Sequence, residues 1–157
     1  MFGKLDSRQM EELLGRQLVG RLGCHANGTT YVVPISYAYK DGHIYCHTAE
    51  GLKISILRQE PRVCFQVDNT KDLSNWQSVI CWGEFEELKD HVEKWNALSI
   101  LNARQFPMVP TEKMQINTEW PFVDPGTEDI QGIFFRIRID DMTGRYEDSG
   151  SSGSLTN

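Results

Sequence analysis

Between residues 29 and 40 the chain reads TTYVVPISYAYK. As an extended strand, this run puts Tyr31, Val33, Ile35, Tyr37 and Tyr39 on one face and Val32, Pro34, Ser36 and Ala38 on the other. One face is bulky and the other small. The run lies within a longer stretch, LVGRLGCHANGTTYVVPISYAYKDGHIYCHT, which is interrupted at Asn27-Gly28 and Asp41-Gly42. Asx-Gly pairs between apolar runs are strong hairpin signals, so three antiparallel strands in a meander are predicted. Pro34 cannot donate to a ladder, which puts it at an edge, at a bulge, or where a ligand takes the place of a neighbouring strand.

The same patterning predicts further strands at RVCFQVD, at WQSVICWGEFEEL and at GIFFRIRIDDMTGRYE. Gly83 inside the second of these marks a bulge or close approach, and TKDLSN before it reads as a polar loop. In the last strand Ile133, Phe135, Ile137 and Ile139 form the core face, and Phe134, Arg136, Arg138 and Asp140 a mostly wet one.

Helical spacing appears three times. Met10, Leu13 and Leu14 follow Ser7 as the predicted N-cap; Leu52, Ile56 and Leu57 form a stripe that Pro61 closes; residues 92, 95, 98 and 101 form a stripe within 90–104. Residues 105–129 are proline-rich and without periodicity and are predicted to be an irregular connection. The Gly/Ser-rich residues 148–157 are predicted to be a disordered tail after a single domain over 1–147. About six antiparallel strands with peripheral helices describe a small closed or partly closed barrel.

Composition narrows the function. With 157 residues, 39% hydrophobic and 24% charged, the chain suits one globular domain. A net charge of -6 with scattered basic residues argues against nucleic acid as a partner. No apolar run approaches a membrane span and the N-terminus lacks a secretory pattern, so a cytoplasmic location is expected. Cys24, Cys46, Cys64 and Cys81 are too far apart to seed a zinc site and read as reduced, buried residues. Four isolated histidines make no metal site; His25 and His47 stand as alternative proton donors or haem ligands, while His43 and His91 are expected at the surface.

The stretch HTAEGLK, residues 47–53, passes from a strand end into a helix start with a hydroxyl and a cation nearby. Unpaired N–H groups and the helix dipole suit a phosphate there, with Thr48 and Lys53 converging on it. The alternative is that Thr48 caps the helix and Lys53 is solvated; Arg58 is either a second cation or a surface residue. Neither a P-loop nor a dinucleotide fingerprint is present, which leaves a mononucleotide-sized ligand with one terminal phosphate over the small face at Pro34 to Ser36. Glu84, Glu86 and Glu87 read as a solvated face.

The order of parts (VPxxY, a DG turn, IYxHxA, GxK, LRxxP, VCFxVD, then WQSVICWGEFEEL and FFRIRIDDMTGR) resembles the FMN-binding split-barrel family related to pyridoxamine 5'-phosphate oxidase, above all its 5-nitroimidazole-resistance branch. The resemblance implies a mainly β fold, a six-stranded antiparallel Greek-key split barrel, assembled as a homodimer with FMN at the interface. It also implies that Pro34, Ile35 and Ser36 line the flavin ring, that His47, Thr48 and Ala49 follow the ribityl chain, and that Lys53 binds the phosphate. Trp76, Ser78 and Val79 are expected near the flavin, from either subunit. The arginine-rich, tryptophan-containing C-terminal signature of the vitamin B6 oxidases is missing here, since no tryptophan follows Trp120. The implied activity is electron transfer from a reduced nicotinamide to a small, nitroaromatic-like acceptor, with a flavin carrier or sensor and a haem-binding relative as alternatives. No catalytic side chain is assigned, because the flavin carries such chemistry.

Overall fold

Both Asx-Gly turns form as predicted, with Asn27, Gly28, Asp41 and Gly42 all at positive φ. They join β2 (Val19–Ala26) to β3 (Thr29–Ser36), and β4 (Ala38–Lys40) to β5 (His43–Thr48). The computed structural model describes residues 1–104 and 131–150. The predicted connection over 105–129, with Trp120, and the tail beyond residue 150 lie outside the described residues.

The remaining elements are β1 (Phe2–Lys4), α1 (Ser7–Arg16), α2 (Leu52–Gln59), β6 (Arg62–Asp72), β7 (Asn75–Leu88), α3 (His91–Asn102) and β8 (Ile133–Glu147). One antiparallel sheet runs in the order β3-β2-β6-β7-β8-β5-β4, with β1 added to β8. Its two ends, β3 and β4, are halves of one chain segment joined only by Tyr37, so the sheet closes on itself as a split barrel. The strands number eight where six were expected, because the predicted 29–40 strand divides at Tyr37 and the N-terminal residues add β1.

The core is built from the inward face of this sheet. Leu22, Ile44, Phe65, Val67, Val79, Phe135 and Ile137 are fully buried, with Leu13 and Leu14 of α1 and Ile54 and Leu57 of α2 at its openings. A second cluster, Ala38, Tyr45, Leu88 and Phe134, lies under Ala97, Leu98 and Leu101 of α3. Phe134, placed on the wet face of its strand by alternation, is therefore buried. Gly83 is a close approach: β7 and β8 shift register between Trp82 and Gly83, and a Cβ there would run into the Arg138 carbonyl.

Several local expectations are corrected. Asp6, not Ser7, caps α1: its Oδ1 accepts from the Gln9 N–H at 2.8 Å, and its own N–H donates to Gln9 Oε1 at 2.9 Å, a capping box. Leu52 is exposed and Ile54 is buried in its place, while Val92 and Trp95 of α3 are exposed and Ala97 is buried. Each helix is turned relative to its sequence stripe because the barrel surface, and not the stripe, sets the contact face. The predicted loop at 70–75 is mostly strand, since β6 continues to Asp72 and only Leu73 and Ser74 turn.

Candidate functional site

The hairpin that begins at Asp41-Gly42 pairs Lys40 with His43, Tyr39 with Ile44 and Ala38 with Tyr45. Continued in register, it would place Ser36 opposite His47, Ile35 opposite Thr48 and Pro34 opposite Ala49. Instead it forks at Tyr37. β3 turns away to pair with β2, and the end of β5 pairs only with β8. The two sets of predicted ligand residues thus lie on the two diverging arms of the fork, Pro34 to Ser36 on β3 and His47 to Ala49 at and just beyond the end of β5.

Tyr37 fixes the crotch of the fork. It is fully buried, its hydroxyl donates to the Leu14 carbonyl at 2.6 Å, its N–H donates to the Leu18 carbonyl at 3.0 Å, and its ring meets Phe65 edge-on. Burial above all pushes its hydroxyl pKa up, so it is a fixed donor and not an acid at neutral pH. On the β3 arm, Pro34 and Ser36 are exposed and Ile35 faces the core. Pro34 occupies an edge, as its missing N–H requires.

On the other arm His47 and Thr48 are half-buried and Ala49 is exposed. The His47 ring packs on Phe134 with centroids 4.5 Å apart, and its Nε2 lies 2.9 Å from the Gln131 carbonyl. Burial lowers its pKa, partly offset by that hydrogen bond, so the ring is neutral at pH 7.

α2 starts immediately beyond. Its N-cap is Gly51, and no side chain caps it. The alternative in which Thr48 caps this helix is therefore not what forms; Thr48 is the last residue of β5, opposite Ile133. Lys53 lies in the first turn, half-buried, and among the described residues it joins no hydrogen bond or ion pair. Burial pushes the thiols of Cys24 and Cys46 up; the charge of Lys53 draws both partly back, and that of Arg104 draws Cys46 back as well. Arg58 turns out to be structural: it donates to Glu87 at 2.7 Å and to both oxygens of Glu50 at 3.2 and 3.0 Å, holding the turn before α2. The acidic run pairs likewise, Glu84 and Glu86 with Arg62, Arg136 and Arg138.

Arg104, which carried no sequence signal, stands at the crotch. It donates to Ser36 Oγ at 2.8 Å, to the Tyr37 carbonyl at 3.2 Å and to the Leu101 carbonyl at 2.7 Å. Nothing in the local pattern could have found it, because its partners Ser36 and Tyr37 lie 68 and 67 positions away along the chain.

Trp76, Ser78 and Val79 are not brought to the fork of the same chain. β7 lies three strands from β3, roughly 14 Å at ordinary strand spacing. Val79 is fully buried and offers this surface only main chain. Trp76 donates to Glu147 at 3.0 Å, and Ser78 Oγ accepts from Gln66 at 3.0 Å. Ser78 belongs to an outward face of β3, β2, β6 and β7 on which Val19, Val32, Ile80 and Trp82 remain exposed around an Arg21–Asp68 ion pair.

His25 is exposed, and His91 accepts from Trp95 Nε1. His43 is half-buried, its Nδ1 within 2.9 Å of the Asp41 carbonyl, although a surface position was expected. No His/Cys/Asp/Glu cluster suited to a metal occurs among the described residues. All four cysteines are free; Cys24, Cys46 and Cys81 are buried and Cys64 is half-buried. Among the described residues no helix is long and apolar enough to cross a membrane.

Comparison with known proteins gives a consistent picture. The family model described as pyridoxamine 5'-phosphate oxidase matches residues 6–146. An uncharacterized protein of Rhizobium meliloti (strain 1021) is 32% identical over 96% of this chain and 99% of its own. The crystal structure of an FAD-binding protein of Mesorhizobium loti shares 33% identity and superposes with a TM-score of 0.73 over 94% of this chain and 99% of the other. A candidate 5-nitroimidazole antibiotic resistance protein of Bacteroides thetaiotaomicron shares the fold at 22% identity and a TM-score of 0.70, over 93% and 87% of the two chains.

Proposed function

The chain belongs to the pyridoxamine 5'-phosphate oxidase family, and we propose that it holds a flavin in the fork of its barrel as an oxidoreductase that passes electrons from a reduced nicotinamide to a small, nitroaromatic-like acceptor. The observation that carries this reading is Lys53: a half-buried cation without a partner among the described residues, at a helix start that no side chain caps. Such a pair fits one terminal phosphate. FMN is therefore the flavin proposed, although the Mesorhizobium loti relative is described as FAD-binding.

In this arrangement Lys53 and the N–H groups of the first turn of α2 hold the phosphate. His47 and Thr48 border the ribityl chain, and Pro34 and Ser36 offer the ring a small, flat wall. When bound, the flavin supplies the hydride and electron chemistry, and the protein supplies orientation and exclusion of water. Neutral His47 and the high-pKa Tyr37 are suited to hold geometry rather than to exchange protons.

The partner proposed is a second copy of the chain. Trp76 and Ser78 lie too far from the fork of their own chain, and Val19, Val32, Ile80 and Trp82 leave an apolar face open beside it. A second copy laid against that face would cover it and bring its own Trp76 and Ser78 toward the flavin. Trp82→Glu should then convert a dimer to a monomer on size-exclusion chromatography and weaken flavin retention; a variant that stays dimeric would remove this face from the interface.

The first test of the function is the visible spectrum of the purified protein, with chromatography of whatever denaturation releases. FMN supports the reading, and FAD would keep the flavin but overturn the single-phosphate assignment. A haem band, or no uptake of added flavin, would overturn both. A yellow protein that oxidises neither NADH nor NADPH with any acceptor would be a carrier or sensor.

A further inference from the structure

A cavity of about 480 Å³ lies between α1, the end of β6, the start of β7 and the end of β8. It is within the size range of small-molecule sites. Tyr146, in its wall, stands at the opposite end of β8 from Phe134, the residue paired with His47, and β7 lies three strands from β3. The cavity is therefore separate from both arms of its own chain's fork.

Its lining joins two rings to a set of amides. Trp76 and Tyr146 are half-buried, and the Trp76 Nε1–H donates to Glu147 Oε2 at 3.0 Å, which holds the indole and leaves the second carboxylate oxygen to accept from a ligand. Gln9 and Gln77 are half-buried too, and the oxygen of each is already engaged: Gln9 Oε1 accepts from the Asp6 N–H at 2.9 Å and Gln77 Oε1 from Arg16 at 3.3 Å. Those donors set the orientation of both amides, so each has its NH2 group left to donate. Among the described residues neither NH2 has a partner, and neither the Tyr146 hydroxyl nor the Asn69 side chain has one. Lys71 is the only cation in the lining among the described residues, and it is set against the carboxylates of Glu147 and Asp148, so nothing here draws an anion. A hydroxyl answers such a mixture of donors and acceptors, because it both donates and accepts, and the carbon face of a saturated ring suits an aromatic wall.

We propose that this cavity binds a neutral polyhydroxylated ring, a sugar, either free or as the ribose of a nucleoside. The hydroxyls would be met by the NH2 groups of Gln9 and Gln77, the Asn69 amide, the Tyr146 hydroxyl and the Glu147 carboxylate, and the ring by the aromatic wall. The site rests on this lining alone and not on the flavin reading.

Saturation-transfer NMR titration of the protein with glucose and adenosine tests it, with cyclohexanol and adenine as controls that lack the sugar, each with and without added FMN. At least one of glucose and adenosine should bind saturably in both forms, and the controls should bind at least about tenfold more weakly, as expected when several neutral hydrogen bonds are lost. Binding of glucose supports a free sugar as the ligand, and binding of adenosine alone a nucleoside. Gln77→Leu, Tyr146→Phe and Asn69→Ala each remove one neutral polar group, and each should weaken the sugar by roughly two- to tenfold. Should Gln77→Leu fail to fold, Asn69→Ala at an exposed position and Tyr146→Phe still decide the outcome. No saturable binding of either sugar compound, equal binding of the controls, unchanged affinity in the variants, or displacement of the sugar by FMN would overturn the proposal. Sugar binding by a chain that takes up no flavin would sink the flavin reading and leave this site standing.

Discussion

Replacing Lys53 by alanine isolates the phosphate cradle from the rest of the fork. The ammonium is half-buried in the first turn of α2 and has no hydrogen-bond or ion-pair partner among the described residues. Its removal therefore breaks no native ion pair, and all of its effect should fall on the ligand. A hydrogen bond to a charged group contributes about 1.5–3 kcal/mol, whereas the helix start, worth about 0.3–1 kcal/mol to an anion, is untouched by the change. At about 1.4 kcal/mol per decade, the Kd for FMN should rise roughly 10- to 150-fold. Flavin fluorescence quenching measures this directly, and riboflavin, which lacks the phosphate, is the internal control. Riboflavin affinity should be unchanged, and the melting temperature of the flavin-free protein should move by no more than about 2 °C. Unchanged FMN affinity would remove Lys53 from the site. Equal losses for FMN and riboflavin would refute the reasoning differently, by showing that Lys53 supports the fold and not the phosphate.

Other perturbations test the scaffold. Tyr37→Phe leaves the buried Leu14 carbonyl without its donor and should cost about 1–3 kcal/mol, a melting shift of roughly 2–12 °C; no shift would mean that the fork does not depend on this bond. Gly83→Ala, where a Cβ would strike the Arg138 carbonyl, should destabilise by about 3 kcal/mol or more in urea. Gly15→Ala, in open space near the end of α1, should instead stabilise by up to about 1 kcal/mol. His47 has a folded pKa below its ordinary value of 6.5 because of burial, so the unfolded chain binds the proton more readily. Its contribution is complete above that ordinary value and is lost as pH falls from there through the folded pKa. Urea unfolding at pH 7.5 and 5.5 should show this loss, and His47→Asn should reduce it.

Strand positions, both Asx-Gly turns, the Gly83 close approach and the edge placement of Pro34 could be read along the chain, because each depends on a period of two or on the backbone chemistry of one residue. The HTAEGLK stretch was legible for the same reason: a strand end, a glycine and a helix start are local features. Tertiary structure decided what these parts face. Val92 and Trp95 carry a helical stripe yet remain exposed, and Phe134 alternates outward yet is buried, because contact faces are set by which layer lies opposite. The fork at Tyr37 follows from the competition of β2 and β5 for one strand, a choice that no window of sequence contains. Arg104 reaches Ser36 across 68 positions, and the separation of Trp76 and Ser78 from the fork comes from sheet order alone. Periodicity specifies which side of an element is apolar, whereas closure of the sheet specifies which side chains share a cleft.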